Sequence, residues 1–444
     1  MERRRRAFNA TSNYYHNRNK KLSVAFFVFL LGYFHSHFPD RNVWVKHWVA
    51  RRKKQGLHHN LFLELMLEDP QKYRRFPLSC YRCLRMSTAM FEELLSKVSP
   101  IIQRKDTHLR ESISPAERLS VTLRHLATGE SQESLQMSFR IGQSTISGII
   151  KDTVRAIYKV LKDDFLRFPS SAEEWKAVAQ DIYERWNFPN CMGAMDGKHF
   201  LIDCPIKSGS MFYNYKSTFS IVLLAVVDAQ LRFIFIDVGT NGRACDRGIW
   251  NSSDLKSYVE NYALPRAPLP NSDIMFPYVI VGDEGFTLSE HVMIPYSKGS
   301  LANRRDRKIF NYRLSRFRRC SENAFGILVT RFQIFRSAMR YDPDVAKDVI
   351  LATLALHNWL RTDTVGRSMY SPPQSLDSED VITGRIIDGN WRDRHEGRGV
   401  MRLANQGGNH HAASALELRN VLCEYFNGIG AVPWQDRMIG VPAE

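Results

Sequence analysis

Cysteine is scarce in this chain, with seven among 444 residues, at Cys80, Cys83, Cys191, Cys204, Cys245, Cys320 and Cys423. So odd and scattered a set excludes the disulfide framework of a small secreted domain. Cys80 and Cys83 make a single C-x-x-C with no second pair at zinc-ribbon spacing, so they read as reduced thiols and not as a zinc site. A long apolar run is also missing. Residues 22–34 (LSVAFFVFLLGYF) fall short of the roughly 20 that cross a bilayer, and polar His35 and His37 follow. No small-residue cleavage pattern comes after them, so an interior or partner-facing helix is expected there, and not a signal peptide or an anchor. Acidic residues are in deficit: 46 Asp and Glu stand against 62 Lys and Arg, a formal net charge of +16. Such an excess points to a polyanionic partner, in most cases nucleic acid.

The excess is concentrated. Residues 1–54 hold thirteen Lys and Arg against Glu2 and Asp40, and residues 301–340 hold eleven against Asp306 and Glu322. Together these blocks exceed the net charge of the whole chain, so the remainder is slightly acidic. Charge gathered in this way suggests phosphate binding at particular places and not a general aid to solubility. The run Arg51, Arg52, Lys53, Lys54 reads equally as a nuclear import signal or as a solvated helix face. The apolar and charged fractions, 44% and 24%, are those of an ordinary globular protein, and the length accommodates two to three domains.

Four regions are expected. Residues 1–84 form a basic N-terminal segment with the short apolar helix. Residues 85–165 are all-helical: Phe91, Leu94, Leu95 and Val98 make one apolar stripe, and Pro115 starts a helix through Leu119, Leu123 and Leu126. A short helix at 133–139, a break at Gly142 and a longer helix from Gln143 read as helix-turn-helix. Its second helix would offer Gln143, Ser144 and Thr145 to a DNA groove, and the residues alone leave a plain helical bundle open. Residues 191–362 alternate strand and helix, with a hairpin turn at Asp228-Ala-Gln and a short buried strand at 278–282, which makes an α/β domain. Residues 363–444 are a tail with a terminal helix and no catalytic motif.

Three carboxylates stand at the ends of packed elements. Asp196 ends CMGAMD, Asp283 ends the apolar run YVIVGD, and Glu322 lies in the basic helical stretch LSRFRRCSENAFGILVTRF. Two carboxylates at strand ends and a third on a helix can share divalent cations, which take oxygen ligands and promote phosphodiester cleavage. Each residue alone reads equally as a turn or a solvated face, so the surrounding motifs carry the case. Asp228 fits a hairpin turn, Asp237 ends a strand within reach of such a site, and Asp246 fits a helix start. Lys198 and His199 adjoin Asp196 and suit either substrate phosphate or a strand cap.

Those surroundings resemble the PIF/Harbinger transposases and the Harbinger transposase-derived nucleases. The motifs are GAMDGKHF (193–200), GSMFYNYKSTFSIVLLAVVDA (209–229), DVGTNGRACDRGIWNSSDL (237–255), VGDEGFTL (281–288), IFNYRLSRFRRCSENAFGILVTRFQIFR (309–336) and LALHNWLR (354–361), in one order. The resemblance implies an α/β RNase H-like catalytic domain preceded by an all-α helix-turn-helix region. It also implies an Asp-Asp-Glu triad at Asp196, Asp283 and Glu322, holding Mg²⁺ or Mn²⁺. The GDEGF segment differs from the GDSAY common in that family and keeps its Asp. On this reading Arg304, Arg305, Arg307, Arg313, Arg316, Arg318 and Arg319 bind DNA phosphates, the protein works in the nucleus, and DNA is the substrate. A Myb/SANT-like partner and a homo-oligomer are further implied, while membrane attachment is not expected. The alternative is a domesticated, non-catalytic DNA-binding or chromatin-associated protein.

Overall fold

The computed structural model describes residues 20–29, 45–67, 84–108, 110–243, 246–261, 264–362, 364–393, 399–403 and 412–440. Cys80, Cys83 and Cys245, the adjacent His410 and His411, and residues 30–34 of the apolar run lie outside the described residues. The chain divides into two units, residues 1–53 and residues 54–444. In the first, residues 20–29 are helical with Leu22, Phe26 and Phe27 exposed. Among the described residues no helix is long and apolar enough to cross a membrane.

The second unit begins with helices whose ends are written in the sequence. Helix α1 (Thr88–Ile102) is capped by Ser87, which accepts from the Met90 N–H, and buries Phe91, Leu94 and Val98. Helix α2 (Pro115–Thr128) has Ser114 as its cap and Pro115 in its first turn, and it stops at Gly129 in the left-handed region (φ 68°). Only glycine fits there, since an added Cβ would stand 2.8 Å from the Gln333 carbonyl oxygen. Helix α3 (Gln132–Phe139) leads through left-handed Arg140 (φ 56°) and the N-cap Gly142 into helix α4 (Gln143–Phe165). Ile146, Ile149, Ile150, Val154 and Ile157 form the buried stripe of α4, while Gln143, Ser144 and Thr145 are exposed at its start. Helix α5 (Ala172–Trp186), capped by Ser171, follows.

The sheet comes next: β1 (Cys191–Ile202), β2 (Phe219–Val227), β3 (Phe233–Asn241), β4 (Val279–Val281), β5 (Val292–Met293) and the late strand β6 (Val400–Arg402). Its order is β3-β2-β1-β4-β5. The pairs β1–β2 and β2–β3 are antiparallel, and β4 runs parallel to both β1 and β5. Strand β6 pairs with β1 beyond the end of β4, opposite Lys198, His199 and Phe200. Central β1 is buried along its whole length, as a strand with neighbours on both edges must be when both faces are covered. Asp196, expected at a strand end, lies in mid-strand, because β1 runs on through His199 to Ile202. Asp228 makes the hairpin turn, accepting from the N–H groups of Gln230 and Arg232.

Three long helices pack with the sheet among shorter ones: α6 (Arg305–Arg331), α7 (Pro343–Thr362) and α8 (Ala413–Asn427). Helix α7 packs against both α4 and β3, so the helical region and the sheet share one hydrophobic core. The LALHNWLR motif makes that joint. His357 meets the Leu231 carbonyl at 2.8 Å, Asn358 bonds the carbonyls of Phe165 and Phe233, and Arg361 bonds the Gln230 carbonyl. These residues fasten the β2–β3 hairpin and the end of α4 to one helix, which is a structural role.

Candidate active site

Strand register decides which acidic residues meet. Asp196 lies opposite Ala225 in β2, and Ala225 lies opposite Ile236 in β3, so these three share a face of the sheet. Asp237 pairs with Leu224, one position along, and therefore lies on the other face. It stands near Asp254 and Lys347, and burial and then Asp254 raise its pKa. Asp237 is thus not part of the site. Asp246 begins the helix Asp246–Ser252.

The same alternation separates Lys198 from His199. Lys198 shares the Asp196 face, donates to Asp196 at 2.7 Å and lies 5.3 Å from the centre of the Phe325 ring on α6. His199 lies on the opposite face, fully buried, against the Ser220 hydroxyl at 2.9 Å. Burial, and then Lys216, push its pKa down to about 4. Neutral and on the far face, His199 holds no phosphate at the site.

Asp283 follows β4, the parallel neighbour of β1, and accepts from the Gly285 N–H at 2.9 Å. Glu322 lies in the middle of α6 and is 9% exposed. The three carboxylates converge electrostatically on two cations. Arg318 pairs with Glu322 at 2.8 Å and is acted on by Asp196 and Asp283 as well. Lys198 bonds Asp196 and acts on both Asp283 and Glu322. Burial and then the Asp196 charge raise the Asp283 pKa. Burial works the same way on Glu322, but Arg318, Arg402, Lys198 and Arg392 outweigh it and hold its carboxyl below the ordinary value.

This asymmetry gives a stability prediction. A carboxylate with a raised folded pKa favours the protonated form, so its stabilising contribution is full below the unfolded pKa and lost as pH rises through the folded one. Asp283→Asn is therefore expected to raise thermal stability at neutral pH, with the gain shrinking as pH falls towards the ordinary carboxylate range. Glu322→Gln is expected to do the reverse, costing stability at neutral pH and becoming harmless in acid. Melting curves from pH 3 to 8 test both. A gain at neutral pH for Glu322→Gln, or a loss for Asp283→Asn, would contradict these electrostatics.

As oriented here, no three His, Cys, Asp or Glu among the described residues form a metal-holding group. The donor set nevertheless has the chemistry of a divalent-cation site: carboxylate oxygens from three elements, two of them near enough for one to raise the pKa of the other. Lys198 and Arg318 supply the compensating positive charge in this arrangement.

The arginines expected to bind DNA divide into three groups. Arg313, Arg316 and Arg319 face into the protein, which corrects their expected role. Arg313 is 1% exposed, bonds the Gly430 carbonyl, the Asn187 carbonyl and Gln435, and is pushed by burial down to about 10. Arg316 bonds Glu379, the Trp186 carbonyl and Asn187, and Arg319 also pairs with Glu379. Arg313 and Arg319 are buried and Arg316 nearly so, and all three spend their donors on internal partners; α6 faces the core along most of its length, and these basic residues are part of that packing. Arg318 belongs to the carboxylate cluster. Arg304 and Arg305 are exposed at the start of α6, paired with Asp306 and Asp436, and Arg307 bonds the Ser300 carbonyl.

The C-terminal region, where no motif was expected, contributes to the site. Arg392 lies 3.2 Å from Glu322, and Arg402 of β6 lies 3.4 Å from it. One local signal for this was available. Gly326 in SENAFG is costly inside a helix, and such a glycine marks a close approach. The Trp391 ring lies where its Cβ would be.

Residues 195–358 match the family described as DDE superfamily endonuclease. The chain is also similar to an ALP1-like protein of Arabidopsis thaliana, with 29% identity over 62% of this chain and 68% of that protein. It is 26% identical to the Arabidopsis protein named antagonist of like heterochromatin protein 1, over 55% of this chain and 62% of the relative. Human HARBI1, whose name describes a candidate nuclease, is 23% identical over 57% of this chain and 69% of its own length. No solved structure matches the chain.

Proposed function

From a chain that carries a DDE superfamily endonuclease domain over residues 195–358, we infer a divalent-metal-dependent DNA endonuclease of the Harbinger type, with Asp196, Asp283 and Glu322 as its triad. The observation that carries this reading is the convergence of the three carboxylates, from β1, the end of β4 and the middle of α6, around Lys198 and Arg318. The strand order, with a three-stranded antiparallel half and parallel β4 and β5, supports an RNase H-like domain. Asp196, Asp283 and Glu322 would hold Mg²⁺ or Mn²⁺, and such ions activate the attacking oxygen and stabilise the leaving one. Lys198 and Arg318 place positive charge beside the three carboxylates. Incubating supercoiled plasmid with the protein in Mg²⁺, in Mn²⁺ and in chelator tests the reading; nicking that is metal-dependent and lost in triad variants is expected.

A second reading, a non-catalytic chromatin-associated protein, has one observation in its favour: two of the three carboxylates, Asp196 and Glu322, are paired with the protein's own cations. DNA binding without cleavage in either metal would select it. Nuclear location and a Myb/SANT-like partner belong to the first reading, whereas the name of one relative, antagonist of like heterochromatin protein 1, fits the second. The exposed Arg304 and Arg305 remain candidate phosphate contacts.

Sequence preference is assigned to the start of α4, where Gln143, Ser144 and Thr145 are exposed after the tight turn at Arg140–Gly142. A correct base-edge contact discriminates by roughly 1–3 kcal/mol. Changing all three to Ala is expected to reduce discrimination between the preferred sequence and random DNA, with little loss of non-specific affinity, because no Lys or Arg is removed. Competition binding at fixed salt decides it: equal loss on both DNAs, or none on either, would leave the helices as a plain bundle.

A further inference from the structure

Residues 377–392 bring one arginine to the carboxylate cluster and anchor it more firmly than an ion pair with Glu322 requires. We propose that Arg392 is a phosphate-binding residue of the cleavage site, presented from outside the family-matched region and held in place independently of Glu322. The proposal rests on the endonuclease reading.

The anchor is built in two layers. Arg392 donates through Nη2 to Asp377 Oδ2 at 2.6 Å and through Nε to Asp377 Oδ1 at 3.0 Å, a two-pronged pair with a side chain that is fully buried. Asp377 is itself fixed, accepting from the Gly389 N–H at 2.8 Å and donating its own N–H to Asn323 Oδ1 at 3.0 Å. Asn323 Oδ1 also accepts from Trp391 Nε1 at 3.0 Å, and the Trp391 ring lies 4.4 Å from the Arg392 guanidinium carbon. Trp391 fits because residue 326 of α6 is glycine. In Ser-Glu-Asn-Ala-Phe-Gly, then, Glu322 faces the cluster, while Asn323 and Gly326 hold the arginine beside it.

Three carboxylates share this guanidinium unequally, the exposed Asp388 meeting its Nε at 3.3 Å. Glu322 takes only a single contact, at 3.2 Å. If Glu322 turns its oxygens to another cation, Asp377 still fixes the arginine. Arg318 and Arg402 also reach Glu322, so three guanidinium groups stand on one side of the triad. A phosphodiester at the triad offers the paired oxygens that a guanidinium fork fixed in this way recognises.

The test uses the full chain, a short DNA duplex and Ca²⁺ as the supporting cation for binding, with Mg²⁺ for cleavage. Arg392→Met is expected to flatten the slope of log affinity against log salt by about 0.9, the loss of one phosphate contact, and to lower kcat/KM tenfold or more. Arg392→Lys keeps the charge and the Asp377 pair but not the planar fork. It is expected to fold, to keep the salt slope, and to recover only part of kcat/KM. It also serves as the test if the Met variant does not fold. A wild-type slope and wild-type kcat/KM in Arg392→Met, or full kcat/KM in Arg392→Lys, would overturn the proposal and leave the endonuclease reading intact. A wild-type protein that never cleaves, but whose slope still falls in Arg392→Met, would remove the endonuclease reading and leave the phosphate contact standing.

Discussion

Replacing Asp196, Asp283 or Glu322 with Ala is expected to lower metal-dependent DNA cleavage by roughly a thousand-fold or more in each case. The physical reason is that a cation clamp works as one unit. Three carboxylates from different elements fix the position of positive charge against the developing negative charge on the reacting phosphate, and two cannot hold that position. Removing a second member should then add little to the loss from the first. The variants must be compared while folded. Asp283→Ala relieves a carboxylate whose pKa is raised by burial and by Asp196, so it is expected to fold well. Glu322→Ala leaves Arg318, Arg392 and Arg402 without their shared partner and is the one to check by melting. A single variant that keeps the wild-type rate in Mg²⁺ would remove that residue from the triad; full activity in all three would place the chemistry elsewhere.

Glu379→Ala is expected to destabilise the protein by about 3–5 kcal/mol, the usual cost of breaking a buried ion pair from one side. Glu379 accepts from Arg316 Nε at 2.7 Å and also from Arg319 and Tyr312, with its side chain and both guanidiniums largely buried. Without the carboxylate, two adjacent positive charges on α6 repel one another in a region closed to water. The expected signature is a lower denaturation midpoint in urea with an unchanged dependence on denaturant. Arg316→Gln and Arg319→Gln should likewise cost stability while leaving the salt dependence of DNA binding unchanged, since both guanidinium groups are committed to internal partners. A loss under about 1 kcal/mol for Glu379→Ala would mean that the cluster behaves like a surface pair. A flattened salt slope in the Arg316 or Arg319 variant would return these residues to the DNA interface.

These arginines show where a one-dimensional reading fails. Charge in a sequence is counted, but on a 27-residue helix it points all round the axis, and α6 is covered by β1, α8 and the C-terminal segment. Burial converted three presumed phosphate contacts into internal bonds. A local pattern cannot show this, because the partners, Glu379, Asn187 and Gly430, come from distant parts of the chain.

The sequence by itself determined whatever depends on neighbours along the chain. Helix starts at Ser87, Ser114 and Ser131 follow from serine oxygens that satisfy free N–H groups, and the stop at Gly129 from a backbone angle that glycine tolerates. The β2–β3 turn follows from Asp228, and the break before α4 from Gly142. The carboxylates Asp196, Asp283 and Glu322 were legible because ordered motifs surround each one. Tertiary structure decided the rest through strand register and long-range packing. A shift of one position along the sheet excludes Asp237 and His199 while admitting Lys198. The return of a late strand to the edge of β1 carries Arg402 to Glu322, and a tryptophan seated on Gly326 carries Arg392 there, from a region whose sequence holds no catalytic pattern. Alternation and capping are properties of adjacent residues, whereas the company a carboxylate keeps depends on which distant strand or helix closes over it.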